Sequence, residues 1–306
     1  MNTVRTKPPP TRLDPLGGAL IGLASLQFGS VVVLGKIDTD HGLPVPSFLA
    51  LRFLIAAALL AAALAVVRQP LLAAPGERLA LTLLGVAGYA VEAALFFAAV
   101  RHGSAAAVTL LFFTYPVWVA LAALALGRGL PGWLLGGALL AAVGGAALVV
   151  VSSGGLDISM SGVLFAFGSA FSFALYLTVV DIVLRRTNAL TGSMWVSAAA
   201  GVALALFAAV SGSAALPDGG AQWAAVTGTA AFTAGAFVCL FAGLRRLGPV
   251  RTSIVAATEP LAASILAVVF LHEQLRAGTV GGGALILAGA VAASLARRDG
   301  SEPPVP

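Results

Sequence analysis

Ten apolar runs of 18 to 26 residues, separated by short polar or Gly/Pro-containing joints, take up nearly all of this 306-residue chain. A helix rises about 1.5 Å per residue, so each run is long enough to cross a hydrocarbon core of roughly 30 Å. Lipid offers backbone groups no water to bond with, so runs like these must fold as helices. Their limits are Leu16 to Lys36, Val45 to Val67, Leu79 to Val100, Ser104 to Leu126 and Gly132 to Val151, then Ser159 to Leu184, Ser193 to Val210, Gln222 to Leu244, Thr252 to Leu271 and Ala277 to Ala296. The expected fold class is therefore an all-α integral membrane protein of ten transmembrane helices. With 59% hydrophobic and only 9% charged residues and a mean hydropathy of +1.02, little chain remains for a soluble catalytic domain.

The net charge of +5 does not point to nucleic acid, because the basic residues alternate between joints instead of forming a patch. If the N-terminus is cytoplasmic, thirteen of the seventeen Lys and Arg fall on the inner side, among them Arg68, Arg78, Arg128, Arg185, Arg186, Arg245, Arg246 and Arg251. Only Lys36, Arg101 and Arg276 fall outside, and Arg52 lies within a helix. This asymmetry supports both termini in the cytoplasm and an even helix count. The first run follows a basic segment, as a signal peptide would, but it is too long and lacks a small-residue cleavage site, so it reads as a retained helix. Cys239 is the single cysteine and cannot form an intrachain disulfide. The Pro-rich tails, residues 1–15 and 297–306, are expected to be disordered.

A shift of about 144 residues lays the chain over itself: Gly18 to Ser30 meets Gly162 to Ala174, Pro116 meets Pro260, and Gly136, Gly137 and Gly144 meet, with one residue of slippage, Gly281, Gly282 and Gly289. The alternative is chance similarity in a chain rich in Gly, Ala and Leu. Read as a repeat, residues 16–151 and 159–296 are two five-helix units joined by a 152–158 linker. An odd number of helices makes the second copy enter the membrane from the other side, so the repeats are inverted.

The RF of LALRFLIAAALL, the segment TEPLAASILAVVFLHEQL, and the Gly-rich last helix of each half resemble the EamA family of the drug/metabolite transporter superfamily, over residues 16 to 296. Within it, the pattern is similar to YddG-type exporters of aromatic and other amino acids. The chain departs from the family pattern at Arg128, where the first copy lacks the Glu that the second copy keeps as Glu273. The resemblance implies export of a small amphipathic solute by alternating access, with no cofactor, through a central cavity lined by the first, third, fourth, sixth, eighth and ninth helices.

An ionised side chain at mid-bilayer costs roughly 2.5–3.5 kcal/mol, so the intramembrane charges Arg52, Glu92 and Glu259 are informative. Arg52 and Glu92 stand at similar depth, each about eight residues from the outer end of its run, and could pair. A structural ion pair or a snorkelling Arg is the plainer reading; a transport role is the other. Glu259 precedes Pro260, which removes a backbone donor and frees the carbonyl one turn earlier; Tyr115 precedes Pro116 in the related helix. Such breaks need a protein interior or a watery cavity, and both prolines are candidate hinges or gates, or else merely tolerated.

Helical spacing puts Tyr89, Glu92 and Phe96 on one face, Thr109, Phe113 and Pro116 on another, then Ser169, Ser172, Phe173 and Tyr176, and Thr229, Thr233 and Phe237. The candidate substrate-binding residues are Gln27, Tyr89, Thr109, Phe113, Tyr115, Ser172, Tyr176, Thr233, Phe237 and Thr258. Taken singly, each has a structural reading, a back-bonded hydroxyl or a packed ring; together they would suit an amphipathic metabolite such as an amino acid. The glycine pairs Gly18/Gly22, Gly132/Gly136 and Gly278/Gly282 are expected to bring helices close, within a monomer or across a dimer.

An enzyme is disfavoured. There is no phosphate-binding Walker loop, His41, His102 and His272 all fall in joints, and no His/Cys/Asp/Glu group has metal-ligand spacing. The expected partners are a small-molecule substrate and the bilayer.

Overall fold

The computed structural model describes residues 14–40, 42–103, 105–127, 132–153, 158–271 and 277–295. Arg128, Glu273, His41, His272, Arg276 and both tails lie outside them, so the expectations placed there are not addressed by the fold. The described residues form helices α1 (Pro15–Asp40), α2 (Val45–Val66), α3 (Arg78–Val100), α4 (Ala105–Phe112), α5 (Tyr115–Ala125), α6 (Trp133–Ser153), α7 (Met160–Val183), α8 (Ala189–Val210), α9 (Gly219–Leu247), α10 (Pro249–Ala256), α11 (Glu259–Leu271) and α12 (Ala277–Leu295). Each apolar run falls on one helix or on two successive ones. Seven described stretches, from α2 through α9 with α4 and α5 taken together, are long and apolar enough to cross a membrane. The protein is thus all-helical and multi-pass.

Three departures from uninterrupted runs matter. The third helix contains a π-helical segment, Leu84–Ala90, and the fourth and ninth runs are each split into two helices. The tenth run, α12, pairs with the fifth, α6. The ninth run also begins earlier than expected: Gly248 ends α9 at φ 75°, a left-handed conformation that glycine adopts freely, and Pro249 opens α10. Arg251, expected in a cytoplasmic joint, is therefore in the first turn of α10 and buried.

The main helix contacts are α6 with α12, α1 with α9, α2 with α8 and α3 with α7, followed by α3 with α8, α1 with α11, α2 with α9 and α5 with α7. Shifting by 144 residues turns α1–α9 into α7–α3 and α11–α1 into α5–α7, so the packing repeats as the sequence does. The tightest crossing is α6 on α12. A Cβ at Gly145 would sit 2.6 Å from the Gly282 carbonyl oxygen, and one at Gly289 would sit 2.7 Å from that of Ala138; these two contacts exchange under the same shift. Of the anticipated glycine pairs, only Gly278/Gly282 packs this way. Gly22 and Gly136 face open space, because their helices turn other faces toward the bundle. Between α1 and α9 the close approach is made by Gly17 and Gly243 instead.

Loops meet on two faces. On one, Arg246 Nε bonds the Asp14 carboxylate at 3.0 Å, and Arg245 donates to the carbonyls of Thr187 and Arg185. On the other, Ser47 Oγ donates to the Ser213 carbonyl at 2.6 Å, and the Ser159 amide donates to His102.

Candidate functional site

The two helix breaks share one local chemistry. Thr114 and Thr258 sit at the ends of α4 and α10, and each hydroxyl turns back on its own helix, donating to Leu111 O at 2.6 Å and Val255 O at 2.8 Å. Tyr115-Pro116 and Glu259-Pro260 then open the next helix, with proline in its first turn where its missing N–H costs nothing. Pro260 cannot donate to Ala256, and that freed carbonyl accepts from Ser25 Oγ of α1 at 3.3 Å. Tyr115 Oη donates to the Ser253 carbonyl of α10 at 3.3 Å, tying one break to the other half of the molecule. The second break thus has its freed carbonyl satisfied across helices, and the first is tied across by the Tyr115 hydroxyl. Glu259 occupies the first turn of α11, where the helix dipole favours an acid.

Beside the breaks lies an aromatic cluster contributed by both halves. Tyr115 packs edge-on against Phe173 with centroids 4.9 Å apart, Phe173 stacks with Tyr176 at 5.9 Å, and Tyr176 meets Tyr89 at 5.6 Å. Tyr89 then touches Phe237 at 5.0 Å and Phe53 at 5.1 Å. Phe112, Phe113 and Phe28 extend it. Of the residues expected to bind substrate, Tyr89, Phe113, Tyr115, Tyr176 and Phe237 come together here. Ser172 supports them, donating to the Gly88 carbonyl in the π segment at 3.2 Å. Gln27 packs against Gly235 of α9, with its buried Oε1 unpartnered among the described residues. Thr233 is buried and spends its hydroxyl on Thr229 O, Thr258 spends its own on Val255 O, and the Thr109 carbonyl accepts from the Phe113 amide.

The π segment explains where Tyr89 points. Gly85 and Gly88 let α3 approach its neighbours: a Cβ at Gly85 would meet Val196 O at 2.6 Å, and one at Gly88 would meet the Tyr176 ring at 2.9 Å. The wider turn resets the register before Glu92 and leaves Gly88 O available to Ser172.

The expected Arg52–Glu92 pair does not form. Among the described residues no carboxylate oxygen comes within 4.0 Å of the Arg52 guanidinium. Arg52 instead lies over the Phe53 ring, 4.4 Å from its centroid, and near Phe48 at 5.8 Å. Glu92 is held by α7: Ser169 Oγ donates to its Oε1 at 3.1 Å and approaches its carbonyl at 3.2 Å. Both charges are nonetheless buried, at 8% and 7% exposure.

A further acid had no signal in the sequence reading. Glu77, 7% exposed and just outside α3, accepts three backbone hydrogen bonds from the other half: Arg185 N (3.2 Å) and Arg186 N (2.8 Å) on Oε1, and Thr187 N (2.9 Å) on Oε2. Burial alone would raise its pKa, but the Thr187 hydroxyl and these amides outweigh it, and the carboxyl titrates below its ordinary value. Thr187 Oγ1 also receives the Ala74 amide, and Thr191 and Trp195 donate to Pro70 O and Leu71 O. The loop before α3 is thus clasped to the α7–α8 turn. Phe53, Phe28, Phe112 and Ser25 were missed as well; only Phe53 had a cue, as the second residue of the RF pair.

No group of three or more His, Cys, Asp or Glu among the described residues is placed to hold a metal ion. No curated protein sequence matches the chain. A solved crystal structure superposes with a TM-score of 0.79 at 21% identity, covering 93% of this chain and 99% of its own, which establishes a shared fold. The model of the EamA-like transporter family matches twice, over residues 15–151 and 160–295. With nearly the whole chain covered by two copies of that unit, the protein belongs to the EamA-like transporter family and is a multi-pass membrane transporter of the drug/metabolite transporter superfamily.

Proposed function

We propose that this transporter exports small amphipathic metabolites, amino acids including aromatic ones, across the bacterial inner membrane by alternating access. In this reading the chain crosses ten times as two inverted five-helix repeats with both termini in the cytoplasm. The observation that carries it is the aromatic cluster of Tyr89, Phe173, Tyr176, Tyr115 and Phe237, which draws on both halves and adjoins both proline breaks. Faces of Tyr and Phe with a few polar groups suit a solute having one apolar and one charged end. The breaks supply hinges next to the site, so that the two halves can open it first to one side and then to the other. The arginines on the Asp14 face, Arg185, Arg186, Arg245 and Arg246, support a cytoplasmic assignment for that face. Export as the direction rests on the family.

The test is efflux from proteoliposomes loaded with radiolabelled amino acids, with and without a pH gradient, using the native protein and Glu92→Gln and Glu259→Gln. Saturable efflux of aromatic amino acids supports the reading. If it is insensitive to the gradient and to both substitutions, the protein is a facilitator and the two acids are structural. Absence of efflux for every amino acid sinks the amino-acid assignment and moves the search to other metabolites, organic cations or lipids.

A further inference from the structure

Arg52 is a buried cation with its counter-charge missing. Its side chain enters from α2 into the bundle, its Nε has no hydrogen-bond partner among the described residues, and no described carboxylate reaches it. The Tyr89 hydroxyl lies within hydrogen-bonding reach of its guanidinium, and Glu92 and Glu259 act on it only through their fields. A buried ion needs hydrogen bonds or a counter-ion to offset its desolvation. The Phe53 ring beneath it offsets only part of that through cation–π attraction. The other intramembrane charges have local explanations: Ser169 holds Glu92, and a helix N-terminus favours Glu259. Arg52 has none.

Its position supplies one. The guanidinium lies on Phe53, whose ring packs on Tyr89 and, at 6.1 Å, on Phe237. The cation therefore borders the aromatic cluster, with its Nε open beside the buried rings of Phe53, Tyr89 and Phe237. We infer that Arg52 is the subsite for the carboxylate of the transported solute, whose apolar part lies against Tyr89 and Phe237. A guanidinium presents a planar fork of donors that matches a carboxylate with two parallel hydrogen bonds, which an ammonium does not. Substrates are then organic acids and amino acids, and the amine without the carboxylate is rejected. This rests on the aromatic cluster being the transport site, as proposed above.

The experiment compares ligands that differ at one group. L-phenylalanine, L-phenylalaninamide, 3-phenylpropionate and phenethylamine are titrated against the purified full chain in nanodiscs, and the same compounds compete for L-phenylalanine efflux from proteoliposomes. Removing the carboxylate is expected to weaken binding at least 10- to 100-fold, the equivalent of losing one charge-assisted hydrogen bond of about 1.5–3 kcal/mol. 3-Phenylpropionate keeps most of the affinity; phenethylamine and the amide lose it. In Arg52→Gln the acid falls to the level of the amide and the difference between them vanishes, while Arg52→Lys restores only part of it. Equal binding of acid and amide by the native protein overturns the inference, as does discrimination retained in Arg52→Gln. The native-protein comparison needs no variant, so it stands even if Arg52→Gln does not fold. If the native protein binds and moves none of the four, the transport reading itself fails and this inference goes with it; loss of acid-over-amide preference alone leaves that reading intact.

Discussion

Replacing Glu77 by Gln tests whether the clasp between the loop before α3 and the α7–α8 turn holds the two halves together. Gln keeps one carbonyl oxygen, which can serve the Arg185 and Arg186 amides at weaker, uncharged strength, but it presents an NH2 donor to the Thr187 amide that Oε2 now accepts at 2.9 Å. One charge-assisted bond is lost and two fall to about half strength, for a gross loss of about 3–6 kcal/mol at 1.5–3 kcal/mol each. Arg185 and Arg186 are exposed, so water replaces part of this, leaving about 2–4 kcal/mol. The assay is hydrogen–deuterium exchange of the amides of residues 185–187, the donors themselves. At a factor of ten per 1.4 kcal/mol, exchange corrected for intrinsic rate should accelerate roughly 30- to several-hundred-fold, with little change in α6 or α12. The native protein has a matching pH dependence. Because the folded pKa is depressed, the clasp contributes fully above the ordinary Glu value of about 4.3 and is lost only as pH falls through the lower folded value. Protection should therefore hold from pH 7 to pH 5 and fail below about 4. Unchanged exchange in Glu77→Gln, or protection in the native protein that fades between pH 7 and 5, would refute the reasoning.

Two further outcomes follow from the packing. Gly145→Ala drives a Cβ against the Gly282 backbone carbonyl, which cannot move aside unless α6 and α12 separate, and should destabilise by about 1–3 kcal/mol; Gly136→Ala, with open space around it, should stay within about 0.5 kcal/mol. Thermal unfolding in detergent distinguishes them, and equal shifts would contradict the assigned crossing. Ser25→Ala removes the α1 hydroxyl that the Ala256 carbonyl freed by Pro260 shares with Ile21 O, and should cost about 1 kcal/mol, while Ser30→Ala, whose hydroxyl bonds only its own helix, costs little; a denaturation series on the two variants checks this.

The chain order of apolar runs, their repetition and the places where helices break were legible in the sequence, because each depends on local residues. Twenty apolar residues in lipid have one backbone solution, and Pro116 and Pro260 remove a donor wherever the rest of the protein lies. The shift of 144 residues even carries Thr114-Tyr115-Pro116 onto Thr258-Glu259-Pro260, and both triplets fold alike. Helical spacing also grouped Ser172, Phe173 and Tyr176 correctly, since three residues nearly complete a turn. What failed were the specific pairings that depended on the register between helices. Arg52 and Glu92 matched in depth, yet depth along two helices says nothing of their rotation, and Ser169 on a third helix took Glu92. The π segment shifts α3 by part of a turn for reasons of contact with Ala199 and Tyr176, which lie more than 80 residues away. Glu77 looked like an ordinary loop acid until the α7–α8 turn presented three amides to it. By itself the sequence determined the helices, their repeat and their breaks, since these are set by covalent chemistry and the solvent of lipid. Only the tertiary structure decided which glycines touch, which acids are held and which cation is left open, because those depend on where distant helix faces meet.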